Sequence, residues 1–359
     1  MHAADEIQPF PLLAIVGQPE LKTALVITLI NPMVGGVLLS GPYGVGKTTA
    51  VRSLLDLMPV VERELWQDDG TIRTVREPMR LIELPLNARI EDVVGGINER
   101  VAIEQQRVLL EEGILARAHR NLLYVDEINL LEPHVIDVIL DAAAQGRTLV
   151  RRGPLVRLFP AQFVLVGSMN PEEGTLRPQI MDRFGLRVWV APLSDARGRL
   201  EVYRRAQLFR TDPQAFRAAY SEQTQLLREE VEIAREILPH VQVPPLLEAL
   251  SLNLVQELQI PSHRAEIALL EAARARAAAD FRSVVEQEDI TRMAALALRQ
   301  RRSTTIEAYA AQVQQENEQV QAALHKVTAP HSPPAAPEQP IRKRKQSRST
   351  MRQLEQDGA

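Results

Sequence analysis

The chain has 359 residues, 45% hydrophobic and 25% charged, with a net charge of -4 and no cysteine. That length accommodates two domains with ordinary cores, and that balance is typical of a folded, soluble chain. The missing cysteine excludes disulfides, thiolate metal sites and cysteine nucleophiles, and the negative charge argues against a protein that coats nucleic acid generally.

Residues 1–10 are polar and acidic, with neither a basic nor an apolar signal region. No run reaches the roughly 18 to 20 apolar residues that a spanning helix requires, so a cytoplasmic protein without a membrane span is expected. Pro19-Glu20 opens a helix, with Leu21, Ala24, Leu25, Thr28 and Leu29 at helical spacing. The apolar run Gly36-Val37-Leu38-Leu39-Ser40 then leads into Gly41-Pro42-Tyr43-Gly44-Val45-Gly46-Lys47-Thr48. A helix-compatible run starts at Thr49 and is stopped by Pro59. Two glycines separated by four residues, then Lys and Thr, form the phosphate-binding pattern. The glycines let backbone N–H groups turn towards phosphate, and the helix start adds partial positive charge. Lys47 would place an ammonium near the β/γ-phosphates, and Thr48 a hydroxyl on the magnesium ion.

Residues 60–80 are polar with little periodicity and read as a loop or short hairpin. Short apolar runs at 81–84, 122–125, 163–166 and 186–190 join 37–40 as five candidate strands. Alternation with helices predicts a mostly parallel sheet covered on both faces, with ligands beyond the carboxyl ends of its strands. Residues 88–118 and 146–162 look like insertions, the second a hairpin around Arg152-Gly153-Pro154. Its Arg147, Arg151, Arg152 and Arg157 either touch an anionic partner or form a solvated face. Helices are predicted over 198–209, 213–238, 244–258, 262–280 and 286–301, and a polar one over 303–327. The domain plan is therefore 1–195 for nucleotide binding, 196–305 as an all-helical domain, 306–327 as a helical extension and 328–359 as a tail. The tail is Pro-rich, then basic at Arg342-Lys343-Arg344-Lys345, and is expected to be disordered. Its basic run either meets acidic partners or nucleic acid, or is simply solvated.

The chemistry gathers at strand ends. After 122–125 stand Asp126 and Glu127, the first placed to hold magnesium and the second to polarise the attacking water. After 163–166 comes Asn170, which either orients that water against the γ-phosphate or makes an Asx turn with Pro171. Arg183, just before the last strand, is either an arginine finger reaching a neighbour's γ-phosphate or half of an Asp182–Arg183 surface pair. Arg264, in Ser262-His263-Arg264 at a helix start, is a candidate to fold over the nucleotide. The seven histidines show no metal-ligand spacing, and there is no Gly-x-Ser-x-Gly elbow. His119 reads as a structural or interface residue.

In this order, the loop, the Asp-Glu pair, Asn170, Arg183 and Arg264 resemble the AAA+ ATPases. The wording is closer still to the ATPase (I) subunit of magnesium chelatase. The resembling phrases include Ala14-Ile15-Val16-Gly17-Gln18, Ile82-Glu83-Leu84-Pro85-Leu86 and Gly113-Ile114-Leu115-Ala116-Arg117-Ala118-His119-Arg120. They continue with Leu123-Tyr124-Val125-Asp126-Glu127-Ile128-Asn129, Asn170-Pro171-Glu172-Glu173-Gly174 and Asp182-Arg183-Phe184-Gly185-Leu186, so the likeness covers about residues 10–300. It implies an α/β AAA+ P-loop core with a five-stranded parallel sheet, followed by a helical lid. It also implies an ATP- and Mg²⁺-using hexameric ring that works with a second AAA+ (D) subunit and a porphyrin-binding (H) subunit. That assembly inserts Mg²⁺ into protoporphyrin IX, the first committed step to (bacterio)chlorophyll.

By position, residues 41–48 are the Walker A loop, with Thr49 beside it, and Asp126-Glu127 the Walker B pair. Asn170 matches sensor 1, Arg183 the arginine finger and Arg264 the sensor 2 arginine. Residues 88–118 and 146–162 match the helix-2 and pre-sensor-1 insertions. The loop interior Pro-Tyr-Gly-Val departs from the family's usual Asp-Arg-Gly-Thr, residues 60–80 are short, and the cysteines of many members are missing. Two other readings stand beside the chelatase motor. One is a MoxR-type chaperone that matures a metalloenzyme. The other is a DNA-acting motor, which the net charge disfavours.

Overall fold

The computed structural model describes residues 8–66, 72–97, 103–104, 108–153 and 155–302, and further on 312–313, 315–322 and 324. The chain divides into two compact units, Met1–Ser303 and Thr304–Ala359. The described residues of the second unit are helical and exposed. The tail expected over 328–359 lies outside the described residues, as do 98–102 and 105–107 of the first insertion.

In the first unit α1 (Pro19–Ile30) precedes β1 (Val37–Ser40), and α2 (Lys47–Arg52) follows the glycine loop. A hairpin, β2 (Val60–Trp66) and β3 (Ile72–Pro78), leads to β4 (Leu81–Leu84) and α3 (Ile90–Val94). The first insertion contributes β5 (Gly95–Ile97) and β6 (Leu110–Glu112) before α4 (Ile114–Arg117) and β7 (Leu122–Val125). Next come α5 (Pro133–Gln145), the hairpin β8 (Arg147–Arg152) and β9 (Leu155–Pro160), and β10 (Val164–Met169). The α/β part closes with α6 (Pro178–Met181) and β11 (Leu186–Trp189). Helices α7 (Ala196–Thr211), α8 (Pro213–Ala218), α9 (Ser221–Ile237), α10 (Pro245–Glu257), α11 (His263–Ala279) and α12 (Gln287–Leu298) follow.

Five strands form one parallel sheet in the order β11–β1–β10–β7–β4, as expected. Their side chains alternate between two buried layers. Val37, Leu39, Leu122, Tyr124, Val164 and Val166 face one, while Leu38, Leu123, Val125 and Leu165 face the other. Both sheet faces are therefore covered, and burial of each such aliphatic side chain stabilises the fold by roughly 1.5–3 kcal/mol. The first layer runs on without a break into α1 and the alanine-rich face of α11. The helical region is thus built on the sheet's own core.

Two boundaries differ from the sequence reading. The helix expected over 49–58 starts at Lys47 and tightens to a 3₁₀ turn at Ser53–Leu57. There the Ser53 hydroxyl donates to the Ala50 carbonyl at 2.6 Å. The helix expected over 213–238 breaks at Ala219 and Tyr220. The break lets Phe216 pack on Phe10, Phe209 and Tyr220 while Val231 and Ala234 enter the main core. Within 60–80, where a loop or short hairpin was expected, residues 60–66 and 72–78 pair as an antiparallel hairpin with Val60 opposite Pro78.

Both insertions form antiparallel ladders. They share a small core of Ala116, Val150 and Phe159. The outer surface of the second mixes exposed Leu149, Val156 and Leu158 with Arg147, Arg151 and Arg157.

Candidate functional site

At the end of β1 the chain turns at Gly41, where an added Cβ would stand 2.4 Å from the Val190 carbonyl. Only glycine permits that approach. Gly46, at φ +89, delivers the chain into α2. Lys47 bends back over the loop, donating to the Gly41 carbonyl at 2.5 Å and the Pro42 carbonyl at 2.9 Å. Burial draws its pKa below the ordinary lysine value, against the opposing pull of Asp126 and Glu127.

The parallel register pairs Val166 with Tyr124, so two residues further on Ser168 stands beside Asp126. Thr48 donates its hydroxyl to Asp126 Oδ2 at 3.1 Å, Tyr124 to Oδ1 at 2.7 Å, and Ser168 also to Oδ1. Burial alone would raise the Asp126 pKa, but these donors and the Glu127 N–H outweigh it and hold the carboxyl below its ordinary value. Glu127 sits at φ +49, ψ +48, a left-handed conformation rare for a glutamate, and its N–H donates to Ser168 Oγ at 3.1 Å. The loop, the Asp-Glu pair and β10 are thereby fastened together.

Asn170 is 1% exposed at the end of β10, next to the point where the Gly41 N–H bonds the Met169 carbonyl. Its Oδ1 accepts from the Glu172 N–H at 3.2 Å, so the turn with Pro171 is made. Its Nδ2 lies 3.5 Å from Glu172 Oε2, a contact weak enough to leave that donor for a ligand. Lys47, Thr48, Asp126, Glu127 and Asn170 therefore meet at one edge of the sheet.

Arg183 and Arg264 do not join them. Both border a cleft of about 840 Å³ with Gly35, Asn121 and Val164, at the amino ends of the strands. Arg183 is paired with Asp141 of α5. Asp182 turns away from Arg183 and accepts from Ser262 at 2.7 Å and Arg301 at 2.8 Å, with Arg264 at 3.5 Å. The Asp182–Arg183 surface pair is accordingly not formed. Within one chain Arg264 is not over the phosphate loop, because Asp182 and Ser262 hold the start of α11 at the opposite edge.

Sequence reasoning also missed the wall beside the loop. A cleft of about 890 Å³ is lined there by Phe10, Ile15, Val16, Tyr43, Arg205 and Phe209. Arg205 donates to the Ala14 carbonyl at 3.0 Å, Lys22 to Ile15 at 2.6 Å and Gln18 to Ala191 at 2.7 Å. The one signal for this wall was the phrase Ile15-Val16-Gly17-Gln18.

Among the described residues, no group of three or more His, Asp or Glu could hold a metal. None of their helices is long and apolar enough to cross a membrane. Thr48 and Asp126 are hard oxygen donors suited to a magnesium ion that arrives with a triphosphate and keeps other ligands. Gly44 and Gly46 have nothing within 4 Å of where a Cβ would stand, so the loop interior is open for phosphate.

A loop after β1, an Asp-Glu pair after β7 and the strand β10 between them define a P-loop ATPase of the AAA+ class. Residues 11–183 match the family described as magnesium chelatase, subunit ChlI, and residues 249–327 match the AAA lid domain. The chain is 41% identical over 308 residues to the magnesium-chelatase subunit ChlI homolog of Methanocaldococcus jannaschii, covering 80% of this chain and 84% of that protein. To the magnesium-chelatase 38 kDa subunit of Rhodobacter capsulatus it is 40% identical over 306 residues, covering 81% and 87%. A crystal structure of a proposed ATPase from Cytophaga hutchinsonii, 21% identical, matches with a TM-score of 0.55 over 83% of this chain and 87% of that one, a likeness of fold alone. The chain belongs to the magnesium chelatase subunit I family.

Proposed function

We propose that this chain is an ATP-hydrolysing ring subunit of a magnesium chelatase, driving Mg²⁺ into protoporphyrin IX held on a partner protein. The observation that carries the motor reading is the convergence of Thr48 and Ser168 on the Asp126 carboxylate, which assembles loop and strand ends into one site. The names of the relatives favour the chelatase over a MoxR-type chaperone.

In this reading residues 41–49 wrap the phosphates and Lys47 offsets their charge. Thr48 and Asp126 hold the accompanying Mg²⁺, which when bound neutralises charge developing on the phosphates. Glu127 takes a proton from the attacking water, and Asn170 offers Nδ2 to that water or to the γ-phosphate. Arg183 and Arg264 share the far edge of the sheet, so they act on a neighbour's nucleotide. A head-to-tail ring, six copies by family resemblance, brings that edge to the next loop. The proposed setting is the cytoplasm, with residues 1–195 as motor, 196–305 as lid, and the D and H subunits as partners.

Reconstitution with the D and porphyrin-binding subunits tests the assignment through Mg-protoporphyrin fluorescence. Fluorescence should grow with ATP and stay flat without it. ATP consumption with no fluorescence growth would remove the chelatase reading and leave a motor for another target.

A further inference from the structure

We propose that Tyr124, acting with Ser168, is a positioning residue that fixes the orientation of the Asp126 carboxylate for metal binding. The inference rests on the reading of Asp126 as a magnesium ligand. The Tyr124 side chain is 1% exposed, its ring lies in the core beneath the sheet, and its hydroxyl reaches the carboxyl end of β7. A phenol has one proton to give and two lone pairs. Ordinarily titrating at about 10, it keeps that proton throughout the neutral range and so donates. The nearest acceptor is Asp126 Oδ1 at 2.7 Å, with Thr48 Oγ1 and Ser168 Oγ both at 3.2 Å.

The two carboxylate oxygens are therefore not equivalent. Oδ1 receives the hydroxyls of Tyr124 and Ser168, while Oδ2 receives that of Thr48. With Oδ1 turned into the sheet and saturated, Oδ2 is aimed at the loop side, where Thr48 stands. A buried phenylalanine would fill the same space, so the hydroxyl has a task that packing does not explain. Partners of this kind behind a metal ligand typically change metal affinity about 10-fold or more when removed.

The test measures ATPγS binding to the full chain by calorimetry, in EDTA and in Mg²⁺, for wild type, Tyr124→Phe and Ser168→Ala. In Tyr124→Phe the chain should still fold and its affinity in EDTA should match wild type, while the Mg²⁺-dependent gain in affinity falls about 10-fold. Ser168→Ala strips the same oxygen and should lose the gain in the same direction, which keeps the test valid if one variant melts early. A wild-type Mg²⁺ gain in both variants would overturn the proposal. Absence of that gain in wild type would instead overturn the metal assignment, and the proposal with it.

Discussion

Asp126 accepts hydrogen bonds from three side-chain hydroxyls, those of Thr48, Tyr124 and Ser168. Its lowered pKa has a consequence for stability. A carboxyl held below its unfolded value of about 3.9 contributes stability that is present above that value and is lost as pH falls through the folded one. Asp126→Asn should therefore flatten the acid limb of a denaturation profile, and an unchanged limb would contradict the hydrogen-bond account. Its neighbour Glu127 faces a chemical test. Glu127→Gln should bind ATP as wild type does and hydrolyse it at least about 100-fold more slowly. A normal rate would move the base elsewhere. The placing of Asp126 and Glu127 beside the loop was legible in the sequence, because two carboxylates that follow an apolar strand run stand at the strand's carboxyl end, where the loop after β1 also lies. Tyr124 and Ser168 were not, since a tyrosine within a strand reads as core and only the pairing of β7 with β10 shows where its hydroxyl goes.

Between elements, buried arginines hold the segment that carries Arg183. Arg301 is 6% exposed and donates to the Ala297 carbonyl at 2.6 Å, the Phe184 and Gly185 carbonyls at 2.9 Å, and Asp182 Oδ1 at 2.8 Å. It ties the end of α12 to the turn between α6 and β11. Removing the guanidinium leaves Asp182 with Ser262 and Arg264 and takes a donor from the Ala297, Phe184 and Gly185 carbonyls. Arg301→Met should therefore cost about 1–3 kcal/mol in urea unfolding. A loss under about 1 kcal/mol would show that the clamp is dispensable. Periodicity recovered α1, α10, α11 and α12 to within a few residues. It merged α8 with α9, because no glycine or proline marks the break at Tyr220. What bends the chain there is the packing of Phe216 and Tyr220, and half of that cluster comes from Phe10 and Phe209.

At the scale of the molecule, the sheet was readable as parallel because its strands are apolar on both faces. The docking of the helical region was not. It depends on contacts spanning some two hundred positions, such as Asn31 with Glu271 at 2.7 Å and Arg235 with the Leu29 carbonyl. That docking leaves Arg183 and Arg264 on the edge opposite Lys47, so in the proposed reading one chain presents the two halves of a site on separate faces. If the halves meet between copies, Arg183→Ala should bind ATP yet hydrolyse it about 10³-fold more slowly. The most direct measurement is complementation between two inactive variants, Lys47→Ala and Arg183→Ala. Mixed in equal amounts and allowed to reassemble, they should form roughly a quarter of sites with an intact loop from one copy and an intact Arg183 from the next. ATPase activity should reappear in the mixture. A mixture as inactive as either variant alone would contradict a site shared between neighbouring subunits.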